Sequence, residues 1–338
     1  MVSSLRRHAL ILAWLLVPAA AAASPLFEDD TILDVQLSGP LTSVIRGARH
    51  QKQLPFTISA EGATTDVRVR VRGKSRVKLC RFPPLRLNFS KTDSVAPLFD
   101  GLGKVKLVTH CNSGKQASGA NVLNEYLAYR IFNLLSDRSY RVRLLRVTYA
   151  DTDGKMGKLD RQFYGYLIEP TRHLTERTGG SKLEVEGVQY SRLEAHKTAL
   201  LYVFQYLIGN SDWSLVTAED EDHCCHNIDL IQTGTEWALV PYDFDLAGLV
   251  DAKYRSNFDV NQTRRRVYGG YCKTPIEQMA MALAEFGELE DKIIRLARQV
   301  PSADEESSRR RLEYLEGFFS ANESELLQVF DKHCLGRR

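Results

Sequence analysis

The sequence lacks most of the features that would place it in a specialised class of protein. Its 338 residues include only 11 prolines and contain no internal repeat, no low-complexity segment and no CxxC pair. These absences argue against repeat architectures, disordered chains and the commonest zinc modules. The net charge is +3, and residues 1–23 supply two arginines and no acid, which leaves +1 for the rest. So small a charge gives no reason to expect nucleic acid as a partner.

Residues 1–23 have the pattern of a secretory signal peptide. Arg6 and Arg7 form a basic region, an apolar run covers 9–17, and small residues occupy 19–23. The apolar run is short for a membrane-spanning helix, so no stable membrane span is expected. We therefore expect the signal peptide to be cleaved and the mature protein to be secreted or periplasmic.

Six cysteines fit an oxidising compartment. They are Cys80, Cys111, Cys224, Cys225, Cys272 and Cys334. Sequence alone does not select the pairing. Our prediction is Cys80–Cys111, with Cys272 joined to either Cys224 or Cys225. The run from His223 to His226 also allows a zinc site, which is disfavoured because adjacent cysteines rarely bind one tetrahedral ion.

The first half of the chain is rich in predicted β-structure. The stretch 66–72 alternates perfectly, with valines on one face and Arg68, Arg70 and Arg72 on the other, which predicts a half-solvated strand of an antiparallel sheet. The simplest interpretation of the basic face, which continues to Arg81, is a solvated surface, although it could also meet phosphates. Further strands are predicted over 32–37, 85–89, 105–108, 141–149 and 163–169, and a helix over 121–135.

The second half changes to helical periodicity after a loop at 178–181. Helices are predicted over 191–208, beginning with Ser191 as a cap, and then over 275–300 and 303–331. This order predicts an α+β fold of two lobes, with a β-rich N-lobe over 24–175 and a helical C-lobe over 176–338.

A β-hairpin interrupts the helical half. Its predicted strands, 228–232 and 236–240, are joined by a turn at 233–235 and flanked by Asp212, Asn227, Asp243 and Asp245. A hairpin brings its two ends together, so we expect Asn227 and Asp243 to lie close in space. Each residue alone is typical of a turn. The four together in this order favour a site for a hard cation such as Mg²⁺ or Mn²⁺.

The order of these elements resembles a protein-kinase-like fold, and more narrowly the CotH kinase family. The similarity covers most of residues 30–250. It includes Arg72-Gly73 followed by a basic strand around 81–89, the strand at 105–108 leading to the helix at 121–135, the strand at 163–169, Gly209-Asn-Ser-Asp-Trp, His226-Asn227 and Pro241-Tyr-Asp-Phe-Asp. The motifs of the second lobe are the more specific ones.

The resemblance implies a role for each matching residue. Asp212 would accept the proton of an attacking hydroxyl group. Asn227 and Asp243 would coordinate the metal, with Asp245 second in that role, and ATP would be the phosphoryl donor. Backbone near Glu169, at the end of a strand, would meet the nucleobase.

The chain departs from the family in the N-lobe. Where the family has a pair of lysines, this sequence has Cys80-Arg81-Phe82-Pro83-Pro84, and it has no glycine-rich phosphate loop. Arg81, Arg86 and Lys106 are therefore the candidates for holding phosphate. An arginine in this role would bind with a geometry different from that of lysine.

These observations leave three functions open. The first is an exported kinase-like phosphotransferase that uses ATP and a divalent metal on an unknown protein or small-molecule substrate. The second is a non-catalytic envelope or surface binding module with the same fold. The third is a metal-dependent hydrolase in which His110 or His226 acts as general base. The sequence does not determine the oligomeric state.

Overall fold

The computed structural model describes residues 25–48, 52–73, 76–90, 96–112, 116–155, 162–216, 223–252, 254 and 265–336, with only the backbone of 116–118. The predicted signal peptide and the acidic run at 219–222 lie outside these residues. The described part is a mixed α+β structure, as the sequence predicts. None of its helices is long and apolar enough to cross a membrane.

Seven strands of the first half close into a barrel in the order β1-β2-β3-β4-β5-β7-β6. They are β1 (Leu33–Gly39), β2 (Leu54–Ala60), β3 (Ala63–Val71), β4 (Leu85–Phe89), β5 (Lys104–Val108), β6 (Val142–Asp151) and β7 (Gln162–Ile168). Neighbouring strands are antiparallel except where β1 pairs with β6 in parallel and closes the barrel. The sequence predicts most of these strands but not β2 or the closure.

The barrel interior is formed by the apolar face of each alternating strand. Val67, Val69 and Val71 of β3 are buried there, while Arg68 is exposed and Arg70 and Arg72 are half-buried on the outside. The predicted orientation of this strand is therefore confirmed. Because successive side chains point to opposite faces, the same alternation that fills the core covers the outer surface with cations.

Helices and a small sheet form a second apolar core, which also includes outward-facing residues of β6 and β7. These helices are α3 (Gln116–Leu135), α4 (Thr171–Thr178), α5 (Ala195–Ile208), α6 (Ile276–Gln299), α7 (Glu305–Phe319) and α8 (Glu323–His333). Two short helices, α1 (Leu41–Arg46) and α2 (Arg76–Leu79), pack on the barrel core instead. The short strand β8 (Ser181–Leu183) pairs with the hairpin of β9 (Ile228–Thr233) and β10 (Glu236–Pro241). Helix α3 belongs to this core although it lies within the β-rich half of the sequence.

Two predicted helices have different boundaries in the structure. The prediction that Ser191 caps a helix is wrong, because α5 begins at Ala195 after a short 3-10 turn and its N-cap, Glu194, makes no side-chain cap. The predicted helix at 303–331 is two helices, since the Asn322 side chain accepts a hydrogen bond from the Ser324 N–H and starts α8. A side chain that satisfies the first free amides of a helix fixes where it begins.

Candidate functional site

A small cleft lies where the barrel meets the second core, and half of the residues that line it are charged. Those from the barrel side are Arg72, Arg76 and Lys106, and those from the other side are Glu125, Asp243 and Asp245, with Tyr129 and Tyr242 between them. The hairpin and α3 therefore bring carboxylates to the same place as the cations of the barrel.

Arg76 is the centre of a buried ion cluster. Its Nε donates to Oδ2 of Asp245 at 2.7 Å, and its Nη2 donates to Oε2 of Glu125 at 2.8 Å. Arg76 and Glu125 are 8% and 2% exposed, so these charges are out of water. The hydrogen bonds within the cluster offset the cost of burying these charges. Removing one member would leave the others buried without a partner.

The cluster shifts the pKa of each of its members. Burial raises the pKa of Glu125 to about 7, against the opposing effect of Arg76. Burial also raises the pKa of Asp245, which Arg76 and the hydroxyl of Tyr254 oppose. Burial alone would lower the pKa of Arg76, but Asp245 and Glu125 raise it well above its ordinary value. The guanidinium therefore remains charged at any pH at which the protein folds.

Lys106 lies beside this cluster on β5. Its Nζ is 5.1 Å from the centre of the Tyr242 ring, which is within range of a cation–π contact. Burial lowers the pKa of Lys106 to about 8, and Arg72 adds to this, while Asp243 and Asp229 oppose it. Nearby cations disfavour its charged form, so an anion in the cleft would be attracted to Lys106 and Arg72 together.

Asp243 follows the second strand of the hairpin and is the most exposed carboxylate of the cleft. Its side chain is 47% exposed, and one oxygen lies 3.9 Å from Arg76. Its backbone has φ of +60°, and its N–H donates to the hydroxyl of Tyr129 at 2.9 Å. Aspartate tolerates this left-handed conformation better than most residues. The tyrosine hydrogen bond thus fixes the turn that presents the carboxylate.

Asp212 sits in a second polar group, with His226 and Asn227. Nε2 of His226 donates to one carboxylate oxygen of Asp212 at 3.0 Å. Nδ2 of Asn227 donates to the other oxygen at 3.0 Å and to the Asp212 carbonyl at 2.8 Å. The orientation of Asp212 is therefore held from both sides, and the Asn227 amide oxygen is left as an acceptor.

The hairpin joins the two polar groups. The carbonyl of Asn227 accepts a 3.0 Å hydrogen bond from the N–H of Tyr242, the residue before Asp243. Asn227 has φ of +53°, so both ends of the hairpin leave the sheet in left-handed conformation. The structure thus brings Asp212, Asn227, Asp243 and Asp245 to one end of the hairpin.

The three candidates for holding phosphate occupy different positions. Lys106 lines the cleft. Arg86 is half-buried on the outside of the barrel, opposite Lys106 in the strand register, and burial, Arg70 and Arg72 lower its pKa. Arg81 is exposed in the turn after α2 and is not among the residues that line the cleft.

Glu169 makes contacts of a structural kind. Its carboxylate is buried and accepts hydrogen bonds from the guanidinium of Arg177 at 2.9 Å and from the backbone N–H of Arg141 at 3.1 Å. The preceding residue, Ile168, lines the cleft. The Glu169 side chain thus fixes the chain as it passes from β7 to α4.

The disulfides confirm one predicted pair and contradict the other. Cys80–Cys111 forms as predicted, and it ties the end of α2 to the segment after β5. Cys272 bonds Cys334, and Cys224 bonds Cys225. The expected link from Cys272 to Cys224 or Cys225 is wrong, because the tertiary fold brings the C-terminal segment to Cys272, as the bridge between Tyr271 and Leu335 shows. The zinc alternative fails too, since both of its sulfurs are in a disulfide.

Sequence reasoning did not identify Arg76, Glu125 or Tyr129 as members of the site. One signal could have found Glu125. It is a carboxylate within a helix whose neighbours Leu123, Tyr126 and Leu127 are all apolar or aromatic. A charge surrounded by core positions requires a partner. No comparable signal marks Arg76, which lies in a run of alternating cations in the sequence.

The residues present suit a divalent cation shared with phosphate oxygens. Asn227 and Asp243 offer an amide oxygen and a half-exposed carboxylate, and Asn227 is hydrogen-bonded to Tyr242, the residue before Asp243. Mg²⁺ is usually held by one or two carboxylates and completes its shell with phosphates and water. The described residues contain no group of three His, Cys, Asp or Glu side chains that could hold a metal ion by themselves. Asp245 is less available for a cation, because Arg76 and Tyr254 both contact its Oδ2.

Comparisons with known proteins add little to this geometry. No protein-family profile matches the sequence, and no curated protein shows significant similarity. Among solved structures, a Helicobacter pylori proinflammatory kinase, CtkA, matches with 12% identity over 74% of this chain and 93% of that chain, with a TM-score of 0.39. A likeness this low carries no argument here about activity, and the site must be judged from its own residues.

Proposed function

We propose that this chain is a kinase-like phosphotransferase that binds ATP with Mg²⁺ or Mn²⁺ and transfers a phosphoryl group to the hydroxyl group of an unidentified acceptor. The observation that carries the proposal is the pairing of two chemistries in one cleft. Lys106 and Arg72 line the cleft and supply positive charge for phosphates, and Asp243 lines it with a half-exposed carboxylate. Asn227, whose carbonyl accepts from the N–H of Tyr242 next to Asp243, would add its amide oxygen as a second ligand for a cation. Phosphoryl transfer depends on this combination, because its catalysis is mainly positioning and charge stabilisation.

Each polar group of the site has a distinct part in the proposed reaction. Asp212, held by His226 and Asn227, would accept the proton of the acceptor hydroxyl. Lys106 would bind and orient the phosphates. Arg76 would hold Asp245 and Glu125 in place rather than contact the substrate. A divalent cation, when bound, neutralises charge on the phosphate oxygens.

We further propose that the protein works outside the cytoplasm. Three disulfides account for all six cysteines, and disulfides of this kind persist mainly in oxidising compartments. The signal-peptide pattern of residues 1–23 agrees with this location.

A non-catalytic binding module is the second candidate. The observation that favours it is that both carboxylate oxygens of Asp212 already accept hydrogen bonds within the protein. A binding module would take up nucleotide or another anion in the cleft without transferring a phosphoryl group.

Nucleotide binding to the mature, disulfide-intact protein tests the proposal. We expect ATP with Mg²⁺ or Mn²⁺ to raise the melting temperature, because a ligand at a hundredfold excess over its dissociation constant adds about 2.7 kcal/mol of stability. The shift should vanish in Asp243→Ala and persist in Asp291→Ala, which removes an exposed carboxylate of α6. No shift with either metal would refute ATP binding. A shift without transfer to any hydroxyl acceptor, water included, would favour the binding module.

A further inference from the structure

The outer face of strands β3, β4 and β5 is a surface of regularly spaced cations. Along β3, Arg68 and Arg70 alternate with buried valines, and Arg72 continues the same face one residue after the strand. Arg86 on β4 and Lys104 and Lys106 on β5 share this face. We call these six residues the basic face. The end of this face that carries Arg72 and Lys106 opens on the cleft.

The strand register places five residues of the basic face in two rows, and Arg72 lies beyond them. Arg70, Arg86 and Lys106 are direct cross-strand neighbours in one row. Arg68, Asn88 and Lys104 form the next. Adjacent strands are about 4.8 Å apart, so three cations of the first row fall within roughly 10 Å.

This arrangement is unfavourable for the isolated protein. Like charges directly opposite one another destabilise a sheet. Burial is the largest effect that lowers the pKa of Arg86 and of Lys106. Arg70 and Arg72 lower the pKa of Arg86 further, and Arg72 lowers the pKa of Lys106 further. None of the ion pairs among the described residues includes Arg72, Arg86 or Lys104. A surface of this kind gains stability when an anion covers it.

We infer that the basic face is a docking surface for an extended, acidic segment of a partner protein, which lies along β3 and points into the cleft. The spacing supports a polypeptide as the occupant. Arg68, Arg70 and Arg72 recur at every second residue, about 6.6 Å apart. An extended peptide with acids at alternate positions has the same repeat, and arginine binds carboxylates with two parallel hydrogen bonds.

The docking surface extends the proposed function to its partner. If the cleft transfers a phosphoryl group, the acidic segment would present an acceptor hydroxyl at the end nearest Lys106, and this part rests on the proposed function. Binding of the segment does not rest on it, because the far end of the face lies outside the cleft. Arg68 and Lys104 are both exposed and do not line the cleft.

The test is peptide binding measured by fluorescence anisotropy, without nucleotide. The probe is a labelled peptide of about ten residues in which glutamate alternates with threonine, with a glutamine version as control. The mature variant Arg68→Gln/Lys104→Gln is compared with Lys292→Gln/Arg295→Gln, which removes the same charges from exposed positions of α6. Inorganic tripolyphosphate serves as a competing anion.

We expect the first variant to bind the acidic peptide about tenfold more weakly at low salt, and the α6 variant to match the wild type. The ATP-dependent melting shift should survive in both variants. Equal affinity of the two variants would overturn the inference, as would equal binding of the glutamine peptide. If Arg68→Gln/Lys104→Gln loses tripolyphosphate binding to the same extent as peptide binding, the basic face binds anions in general, and the assignment of a polypeptide as its occupant is overturned. Peptide binding that persists while ATP gives no shift would support the surface and refute only the proposed function.

Discussion

Arg76 and Asp245 form a buried ion pair in which Nε lies 2.7 Å from Oδ2. The two residues are 169 positions apart, and Glu125 completes the cluster 49 positions from the arginine. The arginine begins a short helix that follows β3, and the aspartate follows the hairpin. The ion pair therefore links the barrel to the second core at the point where the cleft opens.

Replacing Arg76 should destabilise the fold strongly. In Arg76→Met, Glu125 and Asp245 stay buried without their partner, which should lower the free energy of unfolding by about 3–5 kcal/mol. Urea denaturation of the disulfide-intact protein measures this. The variant Arg309→Met removes an exposed cation of α7 and should cost at most about 1 kcal/mol.

A triple variant separates charge from packing in this cluster. Arg76→Met/Glu125→Leu/Asp245→Leu removes the three buried charges. It should regain at least about half of the lost stability, because well-packed apolar groups often replace a buried ion cluster at little cost. If Arg76→Met alone lowers the free energy of unfolding by less than about 1 kcal/mol, the view that the cluster supports the fold is contradicted.

Lys106 should make anion binding depend on pH. Its pKa in the folded protein is about 8, lowered by burial and by Arg72 from an ordinary value of 10.5. Arg86, Asp243 and Asp229 also act on it. The affinity for ATP should fall as pH rises from 7.5 to about 9 in the wild type, because the ammonium loses its proton. Titrations of Lys106→Arg, whose guanidinium stays charged, should show a flat profile.

The lowered pKa of Lys106 should make the free energy of unfolding rise with pH, whereas the affinity for ATP falls. Between about 8 and 10.5 the unfolded chain binds the Lys106 proton and the folded protein does not. The unfolded state therefore holds more protons, and the contribution of this group to stability rises with pH through that window. Affinity and stability that fall together above pH 8 in the wild type, and equally in Lys106→Arg, would assign the effect to another group.

Asp212 should be needed for transfer and not for nucleotide binding. Removing a positioned general base typically costs about 10²–10⁴ in rate, so Asp212→Asn should lose transfer by that factor. Its ATP-dependent melting shift should remain, since the cleft residues are untouched. Asp291→Asn, an exposed carboxylate of α6, is the matched control. Retained transfer in Asp212→Asn would exclude the proposed proton acceptor.

Gly209 should be intolerant of a side chain. It ends α5 with φ of +62°, and a Cβ there would lie 2.0 Å from the Tyr314 hydroxyl. The left-handed backbone and this overlap should make Gly209→Ala cost about 2–4 kcal/mol of unfolding free energy. In Gly209→Ala/Tyr314→Phe the 2.0 Å overlap is removed and only a close contact of 3.3 Å with the ring carbon remains, so the backbone should dominate the cost at about 1–2 kcal/mol. Identical stabilities of the two variants would show that the contact does not matter.

Much of the secondary structure could be predicted from local patterns. The alternation at 66–72 identifies β3, the apolar run at 121–135 identifies most of α3, and the turn residues between β9 and β10 identify the hairpin. Each signal depends on residues a few positions apart. The break between α7 and α8 was missed, because Asn322 gives the same local signal as an exposed polar residue within a helix.

The candidate site was predictable on one side only. The pairing of the hairpin strands brings Asn227 and Asp243 together, so the sequence indicates that both residues lie at the same end of the hairpin. The cations on the other side come from separate strands. Lys106 faces the cleft and Arg81 does not, and no local pattern distinguishes them, because both occur in short basic runs.

By itself, the sequence determined which faces are apolar, where the hairpin turns and which carboxylates flank it, since periodicity and turn chemistry act over a few residues. Only the tertiary structure decided that the strands close into a barrel, that Cys272 meets Cys334 and that Arg76 meets Glu125 and Asp245. The physical reason is that these contacts join segments far apart in the chain. Their partners are selected by the packing of two cores, and a charge or a thiol carries no local mark of the residue that it will meet.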